Sequence, residues 1–344
     1  MTKLLFIDDG IEFDSKTLRE KPYGGAEVAF VSLVESLAKI GLKVIVYNNC
    51  INEGEMYGVE WRKISKELRN ENFDSIVINR GDKYLNFSPE CKNRIFWIHN
   101  PAKYLLKYRY LSKLFLNKFK IVFSSIYHLN TYPWWAPSKE RIVIPYGVDD
   151  YLFESKRKKS LNRNAIFTSN PMRGLNWLLD QWEKRIFPNC KNSKLKIFSG
   201  FQTYGKFGRK HSDEIMRILS KAKSLKKKGV VLHKPIERKQ LFKKIELSRV
   251  FVYKGSEDET FCMAVAEAQT LGIPAVVCNF GCLSERVIDE TTGFICNSDE
   301  EFSSNTINLL NDNVLWKRMN KESLKRRNYF KWSEVAKKWL KILK

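Results

Sequence analysis

The sequence has no apolar run near the ~20 residues that a membrane-spanning helix needs, and its opening, MTKLLFIDDG, turns acidic too soon for a secretory signal. It reads instead as a first buried strand. No GxGxxG follows that strand and no GxxxxGK[ST] occurs anywhere, which disfavours nicotinamide oxidoreductases and P-loop NTPases. There is no D-x-D motif; Asp8-Asp9 and Asp149-Asp150 are adjacent pairs, read as strand-end and linker carboxylates. Cysteines are few and unpatterned. Cys278 and Cys282 are four apart, with no second pair and no histidine nearby to complete a zinc site. The seven are read as reduced thiols of a cytoplasmic protein.

What is abundant is positive charge, +23 in 344 residues. It is uneven: residues 1–150 carry +4 and residues 151–344 carry +19. Such a field favours an anionic partner, whether donor phosphates, anionic lipid or nucleic acid. A Lys-rich bias spread over solvated helices accounts for it equally well. Hydrophobic residues at 43% and aromatics at 13% suit an ordered globular chain.

Short β-branched runs alternate with helical patterns throughout. In the first part the strand candidates are Leu4–Ile7, Val44–Tyr47, Ser75–Ile78, Arg94–Ile98, Ile121–Ser124 and Arg141–Ile144. After them IPYGVDDYLFESKRKKSLNRN loses periodicity and gains Pro, Gly and charge, as a linker does. A second series follows: Ala165–Ser169, Leu195–Gly200, Val230–His233, Val250–Tyr253 and Pro274–Cys278, with helices near 173–187, 212–227, 237–247 and 262–271. The pattern predicts an α/β protein of two doubly wound, Rossmann-like domains, residues 1–150 and 151–330, with a ligand cleft between them. Residues 331–344 form an amphipathic helix, expected to close the structure or pack back on the first domain.

The most informative stretch is EDETFCMAVAEAQTLGIPAVV, residues 257–277. It follows the apolar strand VFVY, so a strand–loop–helix junction is expected, the helix starting near Cys262. A helix N-terminus offers free amides and partial positive charge to a diphosphate. Glu267, one turn in, can accept two hydrogen bonds from a ribose diol. Glu259, in the loop before the helix, is placed to meet a sugar attached to those phosphates.

Glu259-x7-Glu267 in ETFCMAVAEAQTLGIPAVV closely resembles the signature of retaining GT-B glycosyltransferases, the GT4-like group known as glycosyl transferases group 1. The resemblance implies that Glu267 holds the ribose, that Glu259 holds the donor sugar, and that the backbone at Phe261, Cys262 and Met263 takes phosphate or sugar oxygens. Four more segments agree in order. Gly24 and Gly25 precede a helix in PYGGAEVAF; the family uses this loop near phosphate or acceptor. His99 follows the strand RIFWI, where the family's histidine bonds the donor sugar. IPYGVD matches the I-P-N-G-V-D hinge with Tyr146 for Asn. In SNPMRGLNW only Arg173 carries over of two usual basic residues; Thr168 and Ser169 stand where the other belongs, and Lys254 is a candidate replacement.

The implied chemistry is metal-independent transfer with retention from a UDP- or GDP-linked sugar to a hydroxyl of a glycan, lipid-linked glycan or protein glycan, with no further cofactor. Arg173 and the helix amides would take the leaving group, and Glu259 and His99 the sugar. The alternatives are a nucleic-acid base glycosyltransferase, using the basic half and Trp134–Trp135, and a sugar-nucleotide-binding protein without turnover. Residues 101–120, with six Lys/Arg among Tyr, Leu and Phe, read either as a helix resting on anionic lipid or as a half-buried helix with a solvated charged face.

Overall fold

The computed structural model describes residues 2–64, 71–87, 91–154, 162–200, 210–327 and 331–344. The chain forms two compact units. The first comprises residues 1–21, 25–147 and 332–344, the second 22–24 and 148–331. Both are parallel α/β sheets with helical crossovers, the GT-B architecture of two Rossmann-like domains. Part of the expected linker, residues 155–161, lies outside the described residues; before it Tyr151–Glu154 is a short helix.

The first sheet has eight strands: β1 Lys3–Asp8, β2 Lys43–Asn48, β3 Gly54–Met56, β4 Val59–Lys63, β5 Ser75–Asn79, β6 Asn93–Trp97, β7 Lys120–Phe123 and β8 Glu140–Val143. Their order is β3-β4-β2-β1-β5-β6-β7-β8, parallel except for β3. The chain leaves β1 in one direction and returns on its other side at β5. The hairpin β3–β4 is an addition to the expected strands. GEMYGVEWRK is polar and its first strand is largely exposed, so it lacks the apolar run of a buried strand.

Side chains alternate across this sheet. Leu5, Ile7, Ile76, Ile78 and Phe96 join Tyr110, Leu114, Phe123 and Tyr132 in one core layer. On the opposite layer Phe30, from the helix Gly25–Lys39, packs edge-on to Phe6 and Phe13 and parallel to Trp97. The helix Trp332–Leu343 completes that layer. Its buried residues Trp332, Val335, Ala336, Trp339 and Leu343 recur at helical spacing, and Trp339 meets Trp97 at 5.0 Å. Its last carbonyls have no intrahelical donors, and side chains at the starts of three strands replace them: Ser75 Oγ donates to Leu343 O at 2.6 Å, Asn93 Nδ2 to the same oxygen at 3.5 Å, and Lys120 Nζ to Ile342 O at 3.3 Å. Trp339→Ala is therefore expected to cost about 3–5 kcal/mol of stability. Urea titration measures it; a loss below about 1 kcal/mol would mean the helix is not docked as described.

The second sheet is β9 Asn164–Phe167, β10 Lys194–Phe198, β11 Val230–His233, β12 Val250–Tyr253, β13 Ala275–Cys278 and β14 Gly293–Cys296, in the order β11-β10-β9-β12-β13-β14, all parallel. Strand β14 is again an addition; GFIC is too short to stand out. The helix expected over 173–187 is divided: Leu175–Gln181 is α-helical, Trp182–Ile186 is a π turn, and Phe187–Asn189 follows. In this sheet the reversal falls between β9 and β12.

Candidate active site

In open parallel sheets, ligands bind beyond the carboxyl ends of strands where the winding reverses. In the second unit that point lies after β9 and β12, whose continuations carry Arg173 and the Glu259 loop. The helix after β12 spans Met263–Thr270, one residue later than expected. Cys262, preceding it, has left-handed geometry, φ 59° and ψ 73°. A side chain at that conformation is strained, and it marks a sharp turn of the chain immediately ahead of the first helical turn. Gly281 holds the loop from behind. Its φ is +58°, and a Cβ there would lie 2.6 Å from the Glu259 carbonyl oxygen, which accepts from Cys282 N at 3.0 Å.

Glu259 is the centre of a polar cluster. Tyr253, at the end of β12, donates its hydroxyl to Glu259 Oε1. Arg173 Nη1 lies 3.6 Å from the same oxygen and donates to Ser256 Oγ. Burial, reinforced by Glu259, pushes the Tyr253 hydroxyl well above its ordinary range, so it stays a donor. Burial works against the Arg173 charge, yet Glu259 and its neighbours hold the guanidinium above its usual value. The cluster is an arginine kept cationic beside a carboxylate, next to a helix start.

Glu267 is buried, its side chain 5% exposed. Its partner is Arg238, which sequence reasoning missed: Arg238 Nη2 donates to Glu267 Oε1. Burial raises the Glu267 carboxyl and Arg238 opposes the rise. Only Oε1 is engaged by Arg238, so the second oxygen retains its acceptor capacity. Lys254 lies with its ammonium 5.2 Å from the centre of the Trp177 ring. Phe261 is covered by the Arg286 guanidinium at 4.6 Å, and Met263 is buried.

The first unit carries a second cluster at its own reversal, after β1 and β5. Asp8, fully buried, accepts from Arg80 Nε at 2.9 Å, from Gly10 N at 2.7 Å, and from the Asn79 amide. Arg80 Nη1 also donates to Glu27 Oε1 at 2.8 Å. Because the Asn79 NH2 is turned to Asp8, its Oδ1 faces His99 Nε2, at 2.6 Å. That fixes the proton of neutral His99 on Nε2 and leaves Nδ1 to accept from the Tyr146 hydroxyl. The Tyr146 that departs from the family hinge is thus a partner of the histidine. Gly24 ends the loop ahead of the helix and Gly25 is its first residue; neither is left-handed. His128, by contrast, is structural, with Nδ1 accepting from Ser124 N and Nε2 donating to Asn100 O.

Burial, then Arg80, drives the His99 pKa well below its ordinary value, and burial lowers His128 to about 4. The unfolded chain protonates both near pH 6.5 while the folded chain does not. Stability therefore rises with pH through that window and falls as pH drops below it. His99→Gln should reduce proton uptake on unfolding near pH 5.5 by about one. Urea titrations from about pH 5 to 7.5 measure this; an unchanged slope would mean that His99 is protonated in the native state.

Residues 207–326 match the family described as glycosyl transferases group 1. No curated protein matches the chain. Among solved structures it is similar to sucrose-phosphate synthase from Thermosynechococcus elongatus, with TM-score 0.76, 14% identity and coverage of 99% of this chain and 98% of that one. It is also similar to Anabaena Alr3699/HepE in complex with UDP and glucose, with TM-score 0.76, 13% identity and coverage of 100% and 99%. WaaG, a glycosyltransferase involved in lipopolysaccharide biosynthesis, follows at TM-score 0.68, 11% identity and 99% coverage of both chains. The second unit thus carries the match to glycosyl transferases group 1, in a chain whose fold is that of the GT-B glycosyltransferases.

Proposed function

We propose that the protein is a retaining glycosyltransferase that moves a sugar from a nucleoside-diphosphate donor, UDP- or GDP-linked, to a hydroxyl acceptor on a glycan, lipid-linked glycan or protein glycan. The observation that carries this reading is the junction after β12, where Glu259 with Arg173, the sharply turned Cys262 and buried Glu267 follow one another within a loop and a helical turn. The second unit is the donor side. Glu267 takes the ribose diol, the amides at Cys262 and Met263 take the diphosphate, and Phe261 backs them. Arg173 meets charge growing on the departing phosphate, and Glu259 orients the sugar.

The first unit is the acceptor side; its Gly25, with the preceding Gly24 of the second unit, serves phosphate or acceptor, and its His99 bonds the donor sugar. His99 acts in its neutral form, through a ring that Asn79 and Tyr146 hold in place. The acceptor proton leaves with a donor phosphate oxygen, and the sugar keeps its anomeric configuration. No metal is required in this scheme, since Arg173 and the amides supply the positive charge. The seven free cysteines agree with a cytoplasmic setting.

A thermal-shift series over UDP- and GDP-sugars tests the proposal. A donor at about a hundred times its dissociation constant adds about 2.7 kcal/mol to the native state, so the true donor should stand out. If none shifts the transition, donor binding is ruled out. A donor that binds without being hydrolysed or transferred supports the non-catalytic alternative.

A further inference from the structure

We propose that the first unit docks on an anionic membrane surface through a patch formed by Tyr108, Phe115, Leu116, Trp134 and Trp135. The helix Tyr108–Asn117 is half-buried, but its solvent face is not only charged. Tyr110 and Leu114 point into the core, while Tyr108, Phe115 and Leu116 are 85%, 73% and 73% exposed. Tyr108 and Phe115 are two turns apart and share one side of the helix. Next to the end of this helix lies the loop before β8, joined to it where Lys139 N donates to Phe119 O at 2.8 Å. Trp134 and Trp135 on that loop are 88% and 57% exposed.

The loop is built to hold them out. Arg141 Nη2 donates to the carbonyls of Pro133, Trp134 and Ala136 at 2.8, 2.9 and 2.8 Å. A guanidinium tying three carbonyls within residues 133–136 pins the backbone that carries the two indoles. Scattered single apolar side chains on a surface need no explanation, but five large exposed ones on two segments joined by a backbone hydrogen bond do.

Its electrostatics select the partner. Residues 101–141 contain eight Lys/Arg and a single acidic residue, Glu140. Asp82 offsets two of the cations, Lys113 at 3.1 Å and Arg109 at 3.6 Å. Lys103, Lys107, Lys118 and Lys139 stay exposed around the apolar side chains. Tryptophan and tyrosine favour the headgroup boundary, and each nearby lysine adds about 1 kcal/mol on an anionic leaflet. Leu116 and Phe115 gain from acyl chains and nothing from nucleic-acid phosphates, which favours lipid over a duplex. None of the described helices is long and apolar enough to cross a membrane, so the contact is peripheral.

Flotation of the full chain tests the proposal, with vesicles of phosphatidylcholine alone and of phosphatidylcholine with phosphatidylglycerol, at about 0.1 M salt. Binding is expected to the anionic vesicles only. It should fall about tenfold or more in the pair Trp134→Ser with Trp135→Ser, and likewise in Phe115→Ser with Leu116→Ser. Both pairs sit on exposed positions outside the proposed site, so thermal stability and donor hydrolysis in solution should not change. The idea fails if anionic vesicles are not bound, if both pairs bind as the parent does, or if short duplexes bind as tightly and lose binding on the same substitutions. None of these outcomes bears on whether the protein transfers a sugar.

Discussion

Glu267→Ala is expected to raise the donor dissociation constant about ten- to a hundredfold, the effect of losing a charged hydrogen bond of about 1.5–3 kcal/mol. Fold stability should change far less, because the partner left behind, Arg238, keeps 22% of its side chain exposed and can rehydrate. The reverse substitution behaves differently. Arg238→Ala leaves a buried carboxylate whose pKa is already raised, and stranding such a charge costs about 3–5 kcal/mol unless it takes up a proton. One variant should therefore lose ligand and keep its melting temperature, while the other loses melting temperature. Calorimetric titration of the donor alongside thermal denaturation separates them. Equal donor affinity in Glu267→Ala would remove the ribose role from this carboxylate.

Arg173→Met should lower turnover of the donor about a hundred- to a thousandfold, the usual consequence of removing one preorganised group from a charge that grows in the transition state. Donor affinity should move much less, since the amides at Met263 and the Glu267 carboxylate remain. Glu259 is not stranded by the change: Tyr253 still donates to it. For the same reason Tyr253→Phe should cost only about tenfold in turnover, because Arg173 still lies 3.6 Å from the carboxylate. Steady-state hydrolysis of the donor reads kcat and KM for both. A loss confined to KM in Arg173→Met would make the arginine a binding group and not one that serves the leaving phosphate.

The central strands were legible because parallel strands covered on both faces are written as β-branched apolar runs, and VFVY falls on the fully buried β12 residue for residue. Strands β3 and β14 were not, being edge-placed and opened by glycine, nor was β4, whose VEWRK is mostly polar. The two glutamates after β12 were visible by spacing, which is local. Their partners were not. Arg238 opens the helix Arg238–Glu246, whose lysines resemble any solvated surface, and Tyr253 reads as one more strand residue. The cluster around His99 draws on five separated segments, through Asp8, Glu27, Asn79–Arg80, His99 and Tyr146. No periodicity links such positions; only the sheet winding brings them together.

The helix Trp332–Leu343 belongs to the first unit although the whole second sheet precedes it in the chain. During synthesis, the indole of Trp97 must wait without its cover while some two hundred further residues leave the ribosome. Until Trp339 arrives, one layer of the N-terminal sheet is open to chaperones or to other nascent chains. Maturation of that half is thereby tied to synthesis of the entire second unit, and a product stopped before Trp332 would present a sticky aromatic surface to cellular quality control.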